Sequence, residues 1–418
     1  MKIKQNTLGW IICVVAVIFY CYEYILRITP SVMMPELMHA FNADATKLGI
    51  LASCYYFIYT PMQIVVGLLA DLYGPRKILT IAIITCTIGN YLFSFSNVIL
   101  IAAFGRSLIG FGSAFAFVCI LKLTSVWLPQ KFFASFVGLA TMLSMIGAIT
   151  QVSILNIAVH NIGWKQTNDI GTIIGLILIP IMWYVIRDYP NRDLHKQTIK
   201  YQDIFMDFLK ILSQPQIWLN GFIACTMYLS LSLFAELWGI LFLSNVYKLD
   251  AKNASFACSM IYLGWLIGSP LIGYISDITG SRKIPILIGC FLSTFLSYII
   301  IFPVFNNFYF LCFLLFLFGF FTSFEILCFA ISKEKSPQHL VATATAFTNF
   351  LIMLGGIIAQ PIIGLILDAT LVHNSIQDTF HVYSKDNYQS AFILLPLSLA
   401  FGFIAALRLK ETNTLHSK

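Results

Sequence analysis

Charge is what this 418-residue chain has least of: Asp, Glu, Lys and Arg make up 10% of it, against 59% hydrophobic residues. Soluble domains carry roughly 25% charged residues, so a soluble protein is excluded. Metal-binding spacing is missing too. The ten cysteines form no CxxC pair and all fall in apolar stretches, where they read as small buried hydrophobes rather than disulfides or ligands. The seven histidines fall in loops and tails, no Gly-Lys nucleotide loop is present, and no extramembrane segment is large enough for a soluble-type catalytic domain. An enzyme and a resident cofactor are therefore not expected.

Long apolar runs take the place of these features. A membrane β-barrel alternates apolar and polar residues along each strand, which this chain does not do. About 20 residues carry a helix across a bilayer. Runs between charged, Pro, Gly or Asn breaks give twelve such helices, at 8–33, 46–69, 77–95, 99–124, 132–156, 169–187, 216–244, 254–274, 283–302, 308–331, 341–367 and 389–409. The expected fold is an all-α membrane protein of two six-helix bundles, 1–187 and 216–418, joined by a hydrophilic linker at 188–215. Lys2 and Lys4 before the apolar run from Leu8 superficially match a signal peptide, but no small-residue cleavage site follows, so an uncleaved first span is expected.

The formal charge of +7 is spread through short loops rather than gathered in one patch, so no nucleic-acid partner is expected. With the N-terminus inside, 18 of the 25 Lys and Arg residues fall on the cytoplasmic side and five outside, the remaining two being intramembrane Arg27 and Arg106. This bias predicts that both termini and the linker are cytoplasmic.

Two loops repeat a pattern 206 residues apart: Gly67, Asp71, Gly74, Arg76 and Lys77 after the second helix, and Gly273, Asp277, Gly280, Arg282 and Lys283 after the eighth. The first glycine of each copy permits close helix approach and the second a tight turn, while the carboxylate is free to face a helix N-terminus or a guanidinium. Such a contact, formed in one conformation and broken in another, is a gate; a static loop brace is the plainer reading.

On these loops, and on Arg106, Gly110 and Gly112 in the fourth helix, the chain resembles the major facilitator superfamily over essentially its whole length. The fifth helix, Gly138 to Gly147, lacks the Gly-Pro pair of that family's antiporters. A narrower resemblance rests on Glu23, Tyr24, Arg27, Pro30, Ser31, Pro35 and Glu36, which are similar to the proteobacterial intraphagosomal amino-acid transporter group. The resemblance implies proton-coupled import of an amino acid or similar nutrient by alternating access, in a bacterial inner membrane. A siderophore or other metabolite carrier, an exporter, or a membrane solute sensor are the alternatives.

Five ionisable residues sit well inside the spans: Glu23, Arg27, Arg106, Glu236 and Glu325. Facing lipid, each would cost several kcal/mol, so each is expected to face the interior. Glu23 and Arg27 lie four residues apart on one helix face, able to close on each other as an ion pair or to hold a substrate through the Arg27 fork. Glu236, in the helix that opens the second half, is expected at the same cavity or paired with a neighbouring helix. Glu23, Arg106 and Glu325 are the proton-coupling candidates, Arg106 through the family resemblance; its alternative is to anchor another helix's carboxylate. Tyr55, Tyr56, Tyr59, Gln63, Gln151, Tyr228, Trp238, Trp265, Asn349 and Gln360 are available to line the pocket, though at any single position packing between helices is the stronger reading. Lys122 is expected to snorkel, and the protein to act as a monomer on a small solute.

Overall fold

The computed structural model describes residues 5–128, 133–188, 212–304, 307–336, 341–371 and 383–411; the surroundings of Gly67, the side chains of Asp71 and Gln151 and most of the expected linker lie outside them. Among the described residues, twelve helices are long and apolar enough to cross a membrane. In chain order these spans are Thr7–Val32, Ala45–Val66, Pro75–Phe95, Ile99–Trp127, Met142–Ile162, Trp164–Val185, Pro215–Val246, Ala251–Thr279, Lys283–Ile301, Phe308–Glu334, Ala344–Ala369 and Lys385–Leu407, called spans 1 to 12 below. The boundaries fall within a few residues of most sequence expectations. Span 8 runs longer because nothing stops it before Gly280, whose φ of 68° ends the helix. A short helix, Met34–Phe41, was not anticipated; Pro35 starts it and Asn42, at φ 45°, ends it.

Three spans are irregular where they cross the interior. Span 4 is broken between Ser113 and Ala116, span 7 passes through a π-helix at Ser230–Trp238, and span 10 through a 3₁₀ turn at Ser323–Glu325. The wide turn of span 7 is bonded to its neighbours: Gln360 of span 11 donates to the Ser232 carbonyl at 2.7 Å, and Trp238 Nε1 donates to the Gln360 carbonyl at 3.2 Å. Ser230 donates to Thr322 of span 10 at 2.8 Å, and Trp265 of span 8 donates to Thr322 at 3.0 Å. Carbonyls and hydroxyls freed from regular helix geometry thus find partners inside the protein, as a lipid environment requires.

The halves meet most extensively along spans 2 and 11. Their backbones approach closely because the facing residues are glycines: a Cβ on Gly364 would come within 2.4 Å of the Ala45 carbonyl, and one on Gly49 within 2.6 Å of the Gln360 carbonyl. At the Ala45 end the crossing is clasped. Asp368, near the end of span 11, accepts from the backbone N–H of Thr46 at 2.8 Å and of Ala45 at 3.3 Å, and from the hydroxyls of Thr46 and Tyr383. These are the unpaired donors and positive dipole end of span 2, so a carboxylate there is doubly favoured. Nearby, Asn156 of span 5 donates to Ser255 of span 8 at 3.1 Å.

The described hydrogen bonds between the halves lie at the level of Arg27 or beyond it, towards the Ala45 end. At the opposite end the described polar contacts stay within each half. Asp368→Asn is expected to weaken the clasp by about 1.5 to 3 kcal/mol, the range for hydrogen bonds to a charged group. Hydrogen exchange should accelerate at Ala45 and Thr46 and stay unchanged around Arg76; equal rates in variant and wild type at Ala45 would reject the clasp.

Candidate functional site

Arg27 stands at the centre of the interior, 6% exposed, with Glu236 at 3%. The two form a salt bridge, Arg27 Nη2 to Glu236 Oε1 at 3.1 Å, with a second contact from Nε to Oε2 at 3.3 Å. The sequence allowed Arg27 to close on Glu23; its carboxylate partner is instead Glu236 of the other half. Glu23 accepts from the Tyr55 hydroxyl at 3.3 Å. The i, i+4 spacing places both groups on one face of span 1 but does not decide between them, and span 7 supplies a carboxylate directly in front of the guanidinium fork.

Tyrosines enclose the pair. Arg27 Nη2 donates to the hydroxyls of Tyr228 at 2.6 Å and Tyr56 at 2.9 Å, and the Tyr56 hydroxyl in turn donates to Glu236. Tyr24 donates to Glu236 at 3.4 Å. The Arg27 guanidinium carbon lies 5.1 to 5.9 Å from the ring centroids of Tyr24, Tyr55, Tyr56, Tyr59 and Tyr228. Such faces stabilise a cation with no second full charge. Tyr59 stacks on Tyr55 with centroids 5.4 Å apart, and Trp265 meets Tyr228 edge-on at 5.8 Å.

Arg106 occupies a position the sequence left open. Its Nη1 donates to the Leu26 carbonyl at 2.8 Å and its Nη2 to the Arg27 carbonyl at 3.2 Å, with the guanidinium 5.2 Å from the Tyr55 ring. Pro30 explains the first contact. Proline has no N–H to give the carbonyl four residues earlier, which is Leu26, and Arg106 supplies the missing donor. It anchors the backbone of span 1, not a carboxylate.

Glu325 stands apart. It is buried in the 3₁₀ turn of span 10 with one carboxyl oxygen unpartnered, and among the described residues no hydrogen bond or ion pair joins it to the Arg27 cluster. Asn349 is half-buried, and the Gln151 side chain lies outside the described residues. Tyr24 and Tyr262 were missed by sequence reasoning. Each precedes a recognised candidate, Arg27 or Trp265, by three residues and so shares its helix face. The Tyr262 hydroxyl is buried without a partner.

The repeated loops are built from parts the sequence pattern did not contain. Gly74 and Gly280 take φ of 81° and 68°, as a tight turn requires. Asp277 pairs with Arg282 at 2.7 Å, one of the expected arrangements, and Arg282 also holds Glu334 at 2.9 Å. The helix N-termini, however, face other carboxylates. Asp188, expected in the linker, accepts from the Arg76 N–H at 2.7 Å, and Glu411 accepts from the N–H groups of Arg282 at 2.8 Å and Lys283 at 3.1 Å. Lys283 Nζ reaches the Leu407 carbonyl at 2.8 Å, and the Arg76 guanidinium lies over Trp183 at 4.3 Å. Gly273 does not serve close approach: a Cβ there would meet nothing within 4 Å. Lys122, expected to snorkel, donates to the Ala70 carbonyl at 2.7 Å and closes the last turn of the helix containing span 2.

Twelve spans in two bonded halves, with a buried cation and carboxylates between them, define the class: a polytopic helical membrane protein with a central polar site. The family model of the Major Facilitator Superfamily matches residues 12–360 and 226–418, and the chain belongs to that family. It is similar to the probable sulfoacetate transporter SauU of Cupriavidus necator, 23% identical over 206 residues, 49% of this chain and 47% of that one. The match to SauU thus spans about half its length. The chain is also similar to the probable galactarate/D-glucarate transporter GudP of Bacillus subtilis, 22% identical over 412 residues, 88% of this chain and 87% of that one. In fold it resembles the crystal structure of a bacterial homolog to the human lysosomal transporter Spinster in its inward-facing, unoccupied conformation. That match has a TM-score of 0.79 and 13% identity and covers 96% of this chain and 98% of that one.

Arg106→Ala leaves the Leu26 carbonyl buried with no donor, at a cost of about 1 to 3 kcal/mol. The thermal midpoint of the purified protein should fall accordingly, whereas an unchanged midpoint would show that the carbonyl finds another donor.

Proposed function

We propose that the chain is a secondary active transporter that imports a small organic anion across a bacterial inner membrane by alternating access, with its termini in the cytoplasm and the proton as coupling ion. One observation carries the substrate class: the only guanidinium in the site with an acidic partner, among the described residues, is Arg27, and its fork is presented to a carboxylate between the two halves. A carboxylate, sulfonate or phosphate fits that fork bidentately. The names of the relatives, with sulfoacetate and galactarate/D-glucarate, support the same class. Tyr228, Tyr56 and Tyr59 supply hydroxyls and faces for the rest of the solute.

Amino-acid import, which the span 1 resemblance implies, is the second reading. It is favoured by Glu23, a buried carboxylate one helical turn from Arg27 whose side-chain donors are the hydroxyls of Tyr55 and Ser113, with no full positive charge bonded to it among the described residues. An amino acid would set its carboxylate on Arg27 and its ammonium towards Glu23. In proteoliposomes with an inward proton gradient, saturable accumulation of sulfoacetate or D-glucarate is expected. Arg27→Lys should reduce apparent affinity about tenfold or more, since a point charge does not replace the fork. Accumulation of alanine alone would favour the second reading, and binding without flux would replace transport by solute sensing.

A further inference from the structure

The Arg27 fork already has an anionic occupant, and it belongs to the protein. Glu236 meets Arg27 at 3.1 and 3.3 Å, in the geometry a substrate acid would need. We infer that Glu236 is an internal stand-in for the substrate's acidic group: an incoming anion takes Arg27 only as Glu236 takes up a proton, so that one proton enters the site with each anion. The inference rests on the organic-anion reading above and assigns proton coupling to Glu236, a residue the sequence placed only in the substrate pocket.

Charge balance supports it. Four buried charged side chains gather there among the described residues, Glu23, Arg27, Arg106 and Glu236, two of each sign, so they sum to zero when all are ionised. A bound anion adds one negative charge in surroundings where an uncompensated charge is heavily disfavoured, and one proton restores neutrality. The groups facing Glu236 decide where that proton goes. From span 1 they are Arg27 and Tyr24, from span 2 Tyr56, from its own span Tyr228. Tyr262 of span 8 and Tyr59 of span 2 lie near enough to act on it electrostatically, as does Glu23. Among the described residues Arg27 is the one cation in contact with it; Arg106 turns its Nη1 and Nη2 to the carbonyls of Leu26 and Arg27, and its buried Nε has no partner. Once Arg27 turns to a ligand, Glu236 faces hydroxyls and another carboxylate.

The hydroxyls are suited to the exchange. Tyr56 and Tyr228 each contact both Arg27 and Glu236, so each is placed to donate to a carboxylate or to accept from a carboxylic acid. Tyr262 holds a buried hydroxyl with no partner, a spare donor at the same site. Protonation has a mechanical result as well. The Arg27–Glu236 bridge joins span 1 to span 7, hence one half to the other, and a neutral Glu236 no longer holds them by charge.

The test counts protons. The purified full-length chain is titrated with sulfoacetate and with D-glucarate by calorimetry in buffers of differing ionisation enthalpy. Wild type should take up about one proton per anion, its affinity falling about tenfold per pH unit on the alkaline side. Glu236→Gln should bind the same probes more tightly, with no linked proton and a flat pH profile, and Glu236→Asp should keep the proton. Proton-neutral binding by wild type, or an unchanged proton count in Glu236→Gln, overturns the inference and leaves the organic-anion reading standing. If Glu236→Gln does not fold, the wild-type and Glu236→Asp counts decide. Failure of both probes to bind wild type, or binding undiminished in Arg27→Ala, overturns the organic-anion reading itself.

Discussion

A salt bridge buried between two helical bundles governs this protein. Arg27 and Glu236 are both withdrawn from water, and two charges in that position are tolerated only when each is paired and its remaining hydrogen-bonding capacity is met. The surrounding structure answers that demand. Tyr56 and Tyr228 bond both partners, tyrosine faces surround the guanidinium, and Arg106 fixes the stretch of backbone from which Arg27 projects. The irregular turn in span 7 carries Glu236, and its displaced carbonyl is met by Gln360. Removing any one of these partners leaves a buried polar group wanting, which is why the cluster behaves as a unit rather than as separable contacts.

The two ends of the molecule use one electrostatic device in different ways. At the Ala45 end, the carboxylate facing a helix N-terminus comes from the other half, Asp368 against span 2, and it holds the halves together. At the Arg76 and Arg282 end, Asp188 and Glu411 face helix N-termini of their own halves. The same charge–dipole attraction therefore closes one end and stiffens each lobe at the other.

Much of the fold was legible because a bilayer imposes a length and a polarity on every segment that crosses it. The runs, the duplicated loops and the short list of intramembrane charges follow directly. The list even held both partners of the central bridge, yet not their pairing. Helix periodicity relates Arg27 to Glu23 but is silent about Glu236, 209 positions away. For the same reason nothing in the sequence singled out Asp368, Asp188 or Glu411: a helix N-terminus is a target without a residue code, recognised only once two segments are adjacent in space. Tyr24 and Tyr262 had a readable signal, a shared face with Arg27 and Trp265, whereas the Arg106 contact with Leu26 required knowing that Pro30 empties that carbonyl beside span 4.

The π-helix at Ser230–Trp238 sets the azimuth of span 7. Each added residue turns a regular helix by about 100°, so the accommodation of a residue in a wider turn lets the two ends of the span keep faces that an unbroken α-helix would rotate away from each other. Met227 and Tyr228 before the wide turn and Glu236 and Trp238 within it are all buried. Span 7 is thus phased by its residue count as much as by its residue types. Closing Ser230–Trp238 into regular α-helical turns without losing a residue would swing the Glu236 side chain away from Arg27, whereas losing one position would let the span close as an α-helix with its two ends still in phase.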